Sequence, residues 1–290
     1  MGYLIFADVS VDIDMDIARE KEIRFVPMEY VLGDDTFMCN QPESNEVMHN
    51  FYEKLRGKVE THTSQITPNY YFELFEPYVK DGKEILYISL SSGLSNTYES
   101  ALLAVENLKE EYGSVNIEVV DSISATGGMG LLCESAAKNR DSGMSLCENA
   151  QWLRTNAMLI NHWFKVEDLM YLKRGGRVSA ATAIIGTALN IKPILKINSE
   201  GKLDTIDKIR GDKMAIKCLV DKYEENMDGE ISKTVYICCA DCMKDAEELK
   251  GKLLEKHPDL NIRITMLSPI IGAHTGPDML SLIHYGKTRQ

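Results

Sequence analysis

Short apolar runs alternate with helical patterns along almost the whole of this chain, and that rhythm restricts the fold more than any other feature. Residues 3–9, 24–31, 84–90 and 116–120 read as strands. Between them, Val47, Phe51 and Leu55 recur at helical spacing over 45–56. Thr67-Pro68 marks a helix start, with Thr as N-cap and Pro in the first helical position; Pro77 should end or bend that helix. Helices are expected over about 95–112, 125–140 and 145–158. A β-α-β-α order of this kind argues for a mostly parallel sheet with helices on its faces. Ligands of such sheets bind beyond the carboxyl ends of the strands, and the turns after Val9, Leu90 and Val120 are rich in Asp and Ser.

The pattern changes near residue 160. A strand over 159–166 leads to a short helix reaching Leu172, then to the basic loop Lys173-Arg174-Gly175-Gly176-Arg177 and a small-residue helix over 179–190. Residues 191–198 and 202–209 flank Ser199-Glu200-Gly201 as a β-hairpin. Helix 212–227, strand 233–240, helix 244–256 and strand 261–267 follow. With 290 residues, two α/β domains are expected, residues 1–160 and 161–290.

Charge and cysteine usage narrow the function. A net charge of −12 disfavours nucleic acid or an anionic membrane as the main partner. The seven cysteines are odd in number and unevenly spaced, which fits reduced thiols in a cytoplasm better than a disulfide framework. The N-terminus has no basic segment and meets Asp8 at once, unlike a signal peptide, and no run is long and apolar enough for a membrane anchor.

Five segments carry candidate chemistry. In Ile85–Ser100 a buried strand enters a hydroxyl-rich turn and then a long helix. Backbone amides and the hydroxyls of Ser92, Ser95 and Thr97 would converge on a carboxylate or phosphate there, with no Lys or Arg needed. Alternatively, Ser95 only caps its helix. Gly93-Leu94-Ser95-Asn96-Thr97 also invites comparison with a hydrolase nucleophile elbow, but Thr97 stands where that turn needs glycine. Thr63 and Ser64 precede the helix start at Thr67 and bring further hydroxyls. His274 lies between Gly272 and Gly276-Pro277, which fix its backbone, and reads as functional. Cys239-Ala240-Asp241-Cys242 has the spacing of a thiol redox pair, although Asp241 would raise rather than lower the thiol pKa; no close ligands make it a zinc site. Arg174 and Arg177 form a compact basic loop suited to docking or, blandly, to a solvated helix end. Gly127-Gly128-Met129-Gly130 lacks dinucleotide-binding spacing and reads as helix packing.

Thr63-Ser64-Gln65, Ser91–Tyr98, Tyr171–Ser179 and Gly272–Pro277 resemble, in order, the signature segments of DegV-family fatty-acid-binding proteins, and Ala7–Ser10 is a looser match to that family's opening turn. The resemblance spans nearly the whole chain. It implies a two-domain α/β fold with a long-chain fatty acid, such as palmitate, stearate or oleate, buried between the domains, and no cofactor, metal or catalysis of its own. Carried over, Thr63 and Ser95 would hold the carboxylate, supported by Ser64, Ser92 and His274. The bound acid would be presented to a separate fatty acid kinase for acyl-phosphate formation, with Arg174 and Arg177 as the docking element. Ala180–Gly186 is expected to wall part of the acyl tunnel. The competing reading is a serine-dependent acyl hydrolase or transferase using Ser95 and His274; a thiol redox protein built on Cys239 and Cys242 is a further one.

Overall fold

The computed structural model describes residues 2–179 and 190–289. The helix expected over 179–190 and the tunnel wall expected at Ala180–Gly186 therefore lie outside the described residues. Thirteen described strands form three sheets. Strands β1 (Leu4–Asp8), β2 (Ile23–Val26), β6 (Ile85–Ser89) and β7 (Ile117–Asp121) make a parallel sheet in the order β2-β1-β6-β7. All five residues of β6 are buried, as expected of a central parallel strand covered on both faces. Phe6 and Tyr87, partners in the β1–β6 register, meet Phe75 and Tyr71 of the helix Pro68–Lys80.

A small antiparallel sheet, ordered β4-β3-β5, is built from β3 (Met28–Leu32), β4 (Asp35–Cys39) and β5 (Thr61–Thr63). The remaining strands are β8 (Ile160–Lys165), β9 (Ile191–Ile197), β10 (Leu203–Arg210), β11 (Thr234–Cys239), β12 (Asn261–Met266) and β13 (Leu280–Tyr285). They form a mixed sheet, β10-β9-β8-β13-β11-β12, in which only β11 and β12 pair in parallel.

The helix Gly127–Asp141 packs against β1 and β6 of the parallel sheet and against β8, β11 and β13 of the mixed one. Its glycines allow that approach. A Cβ at Gly127 would fall 2.5 Å from Tyr236 Cβ, and one at Gly128 would fall 2.2 Å from His162 Nε2. The packing role read for this glycine cluster is what the fold uses.

Several boundaries differ from the sequence reading. Residues 24–31 are two strands in different sheets, because Pro27 cannot donate to a ladder and divides β2 from β3. Pro77 does not end its helix. The helix continues to Lys80, its inner face fixed by the buried Tyr71 and Phe75, and the Pro77 carbonyl accepts the Asp81 amide at 3.1 Å. The helix Met15–Glu20, strands β4, β5 and β13, and the helix Pro269–Thr275 were not read from the sequence.

Candidate functional site

The site begins with Asp8 at the carboxyl end of β1. Its Oδ2 accepts the Leu90 amide at 2.6 Å and its Oδ1 accepts the Tyr87 hydroxyl, which lies 2.6 Å from the Tyr71 hydroxyl. Burial pushes the Asp8 carboxyl up to about 6, and these donors only partly offset it. The network ties the end of β6 to β1, so the loop that follows starts from a fixed point.

That loop is held from two sides. The Ser91 hydroxyl donates to the Gly201 carbonyl in the turn of the β9–β10 hairpin at 2.8 Å. Backbone meets backbone there: a Cβ at Gly93 would lie 2.6 Å from the Gly201 carbonyl carbon. From the other side, Asp121 accepts the Ser92 amide at 3.1 Å and the Ser92 hydroxyl at 2.5 Å. The Gly93 amide donates to Ser91 Oγ, and the Leu94 and Ser95 amides donate to the Ser91 carbonyl. The expected cradle of open amides is therefore not there: the amides of residues 92–95 are consumed by the loop's own geometry. Nor does Ser95 cap the helix, which runs from Thr97 to Tyr112 with Asn96 at the N-cap position. Ser95 Oγ accepts the Thr97 amide at 3.3 Å and lies 2.5 Å from Thr97 Oγ1.

The other half of the mouth comes from β5 and the helix Pro269–Thr275. Thr63, the last residue of β5, places Oγ1 2.9 Å from His274 Nε2. His274 packs so closely on Gly175 that a Cβ there would fall 2.4 Å from Nδ1. Burial, with the Arg177 charge as a second cause, pushes the imidazole down to about 4, so it is neutral near pH 7. In the tautomer with hydrogen on Nε2, His274 donates to Thr63 and frees the threonine proton for a ligand. Ser64 instead donates to Glu29 Oε1 at 2.6 Å.

Thr63, Ser64, Ser92, Ser95 and His274 all line one cavity of about 390 Å³. Away from these polar groups its walls include Met28, Leu90, Phe164, Ile197, Met279 and Ile283. The hydroxyls are not equivalent. Those of Ser64 and Ser92 are already donated to carboxylates, which suits positioning; Thr63 and Ser95 pair with groups that can themselves donate, His274 Nε2 and Thr97 Oγ1, and either proton is free to turn inward when they do.

The two arginines separate. Arg174 is exposed, its guanidinium 4.5 Å over the Tyr171 ring. Arg177, expected beside it in a docking loop, turns inward to line the cavity, where Nε donates to the Leu94 carbonyl at 2.9 Å. The mouth thus has a cation, contrary to the expectation of hydroxyls alone. Nothing in the local sequence shows this turn, because the acceptor at Leu94 lies across the fold.

The other candidate sites are not assembled in the same way. Ser95 and His274 share no hydrogen bond among the described residues, His274 being engaged by Thr63. All seven cysteines are free thiols; Cys239 is buried and Cys242 donates to the Met279 carbonyl at 3.2 Å. His49, Glu53 and Asp241 bring possible metal-ligand atoms within 4.8 Å of one another, but Arg56 already pairs with Asp241 at 2.5 Å. Among the described residues, no helix is long and apolar enough to cross a membrane.

Fold and cavity together define an α/β protein of three sheets with an interior site lined by a cluster of polar groups and otherwise mostly by apolar side chains. A family model described as "Uncharacterised protein, DegV family" matches residues 3–287, and this chain belongs to the DegV family. It is 36% identical to the DegV domain-containing protein CPE0026 of Clostridium perfringens over 288 residues, 99% of each chain. Among solved structures it is similar to protein TM841 of Thermotoga maritima, whose structure "reveals fatty acid binding function" (26% identity, 99% of this chain and 100% of that one, TM-score 0.81). Its fold also matches the Streptococcus pneumoniae fatty acid kinase B3 protein loaded with linoleic acid (21% identity, 99% and 100% covered, TM-score 0.84).

Proposed function

We propose that this chain binds a long-chain fatty acid in the 390 Å³ cavity, holds its carboxylate with Thr63 and Ser95, and presents it to a separate fatty acid kinase for acyl-phosphate formation. The observation that carries this reading is one cavity lined by hydroxyls, His274 and Arg177 in one part and mostly by apolar side chains in the rest. An acyl chain of about fourteen methylenes at about 0.8 kcal/mol each contributes on the order of 11 kcal/mol gross. Several kcal/mol of this is lost to ordering on binding. The tail supplies affinity and the mouth supplies orientation.

Arg177 extends the reading. Its guanidinium faces the mouth and loses part of its hydration there, which lowers its pKa. A carboxylate beside it would be neutralised in part, while the hydroxyls fix the direction of its oxygens. Arg174, on the surface nearby, is the proposed kinase-docking residue, and a working division into residues 1–160 and 161–290 would place the acid between two units. The seven free thiols support a cytoplasmic setting.

Mass spectrometry of the protein purified from bacteria and then denatured provides the test. Bound palmitate, stearate or oleate is expected, as is uptake of added acid by delipidated protein. Absence of both would refute the carrier reading. Covalent labelling of Ser95 by a fluorophosphonate would instead favour acyl-transfer chemistry.

A further inference from the structure

Two buried carboxyls bracket the 3-10 turn Val9–Val11 that follows β1, Asp8 before it and Asp12 after it. Asp8 fixes the Leu90 amide and with it the start of the Ser91–Ser95 loop. Asp12 braces the opposite side of the cavity. Its Oδ1 accepts the amide of Ser268, 256 residues away, at 2.8 Å. Ser268 is the N-cap residue of the helix Pro269–Thr275, and its own side chain caps nothing there. That helix brings Ile270, Ile271, His274 and Thr275 to the cavity. A Cβ at Gly272 would fall 2.5 Å from the Tyr52 hydroxyl, so the helix is seated tightly on the helix Asn45–Arg56. The Asp12–Ser268 bond thus anchors the start of the helix whose sixth residue, His274, meets Thr63 at 2.9 Å.

This anchor has no counter-ion. Asp12 is only 3% exposed, and its Oδ2 is buried with no hydrogen-bond partner among the described residues. The groups that feel its charge are Cys39 of β4, Tyr52 of the helix Asn45–Arg56 and Cys238 of β11. Burial pushes all three above their ordinary values, so each is neutral near pH 7. The helix Gly127–Asp141, also packed on the turn, brings Met129 to Ser10, and its Cys133 is pushed far up by burial. His274 on the anchored helix is neutral as well. Asp8, at the other end of the turn, titrates at about 6 with donors of its own. Burial pushes the Asp12 carboxyl up to about 7, and the Ser268 amide offsets only part of this. An anion at Asp12 would leave one oxygen bare in an apolar setting, a state relieved by moving toward water.

We propose that Asp12 is a positioning residue for the head-group contacts: while it keeps its proton it holds the His274 helix against Thr63, and its ionisation loosens that helix and weakens the grip on the acid. Holding of the carboxylate then declines as pH rises through neutrality. This rests on the carrier reading above and names a regulation of the same site.

Two measurements test it. In an NMR titration of delipidated protein, the His274 ring signals, assigned by their loss in His274→Gln, should shift with a midpoint near pH 7, although the ring itself titrates at about 4. In Asp12→Asn, which keeps an acceptor for the Ser268 amide but cannot ionise, that shift should vanish. Palmitate affinity is then compared between the two proteins across the same range, the ratio cancelling the titration of the acid itself. The variant should match the wild-type protein at about pH 5.5 and bind about fivefold more tightly at about pH 8.5. A wild-type His274 signal that is flat through neutrality would overturn the inference. So would an affinity ratio that does not change with pH, and palmitate uptake by both proteins would leave the carrier reading intact. If neither protein takes up palmitate at any pH, the carrier reading falls, and the His274 titration alone decides whether Asp12 positions that helix.

Discussion

Around the ends of β1, β6 and β7 the cavity is made of loops, whereas along β8 and β13 it is made of the face of a sheet. In the loops the hydroxyls and the cation are tied by partners: Ser92 to Asp121, Ser64 to Glu29, Thr63 to His274 and Arg177 to Leu94. On the sheet, alternation alone decides which residues line the cavity. Phe164 and Ser281 are register partners, as are His162 and Ile283, and all four point the same way. Loops can hold a small head group in one geometry, while a sheet face offers extended contact to a chain. The charges of the second region are turned to the other side: Lys165, buried, sits among Glu167, Asp212 and Asp245. Burial alone would pull that lysine's pKa down, but the Asp212 hydrogen bond and the neighbouring carboxylates more than reverse it.

The junction of the two regions is the point at which this contrast is most easily broken. Gly93→Val should destabilise the protein by about 3 kcal/mol, because the new Cβ meets the Glu200 and Gly201 backbone at 2.6–2.7 Å and cannot displace it cheaply. Urea unfolding reads the effect, with Gly251→Ala as a control, since a Cβ at that helical position meets nothing within 4 Å and should be neutral or slightly stabilising. An unchanged midpoint for Gly93→Val would mean that loops and sheet are not locked together.

Asp8→Asn probes the anchor of the loop side alone. Asp8 holds its proton up to about pH 6 in the folded chain against 3.8 ordinarily. Folding therefore takes up a proton in that window, and the stability from this group is full below 3.8 and is lost as pH rises through 6. The variant, which cannot titrate there, should lose about 2 kcal/mol at pH 4. Its deficit should narrow by pH 7. A deficit that widens with pH, followed by thermal unfolding at several pH values, would contradict the raised pKa.

The double change Thr63→Ala with Ser95→Ala sharpens the contrast from the ligand's side. Folding should shift by less than about 1 kcal/mol, because neither hydroxyl makes a buried bond that the fold depends on. Affinity for palmitate should fall about tenfold, consistent with one or two lost hydrogen bonds. Equal losses in both would show the mouth to be structural. The smallest effect is expected for Arg174→Ala: folding and lipid retention unchanged within about 0.5 kcal/mol, but slower acyl-phosphate formation when the kinase is added. Unaltered turnover would exclude it from docking.

The parallel sheet was legible because β1, β6 and β7 are short, mostly apolar runs bounded by Asp and Ser turns. The helix Asn45–Arg56 and the hairpin β9–β10 were legible for similar local reasons. Strand β5 was not, since Thr61-His62-Thr63 carries no apolar pattern and is a strand only because β3 pairs with it. The site residues could be named from hydroxyl clustering and from resemblance, yet their partners could not, because Asp121, Glu29 and Leu94 lie 29, 35 and 83 residues away from the groups they hold.

The contact of Gly93 with Gly201 has a consequence for how this scaffold can diversify. Because the Gly93 loop and the Gly201 turn meet backbone to backbone, exchanges at residues 164 and 283 of the sheet face leave that contact untouched. The cavity wall can then be reshaped by single exchanges on two adjacent strands, whereas any side chain at 93 or 201 would demand a rebuilt turn first.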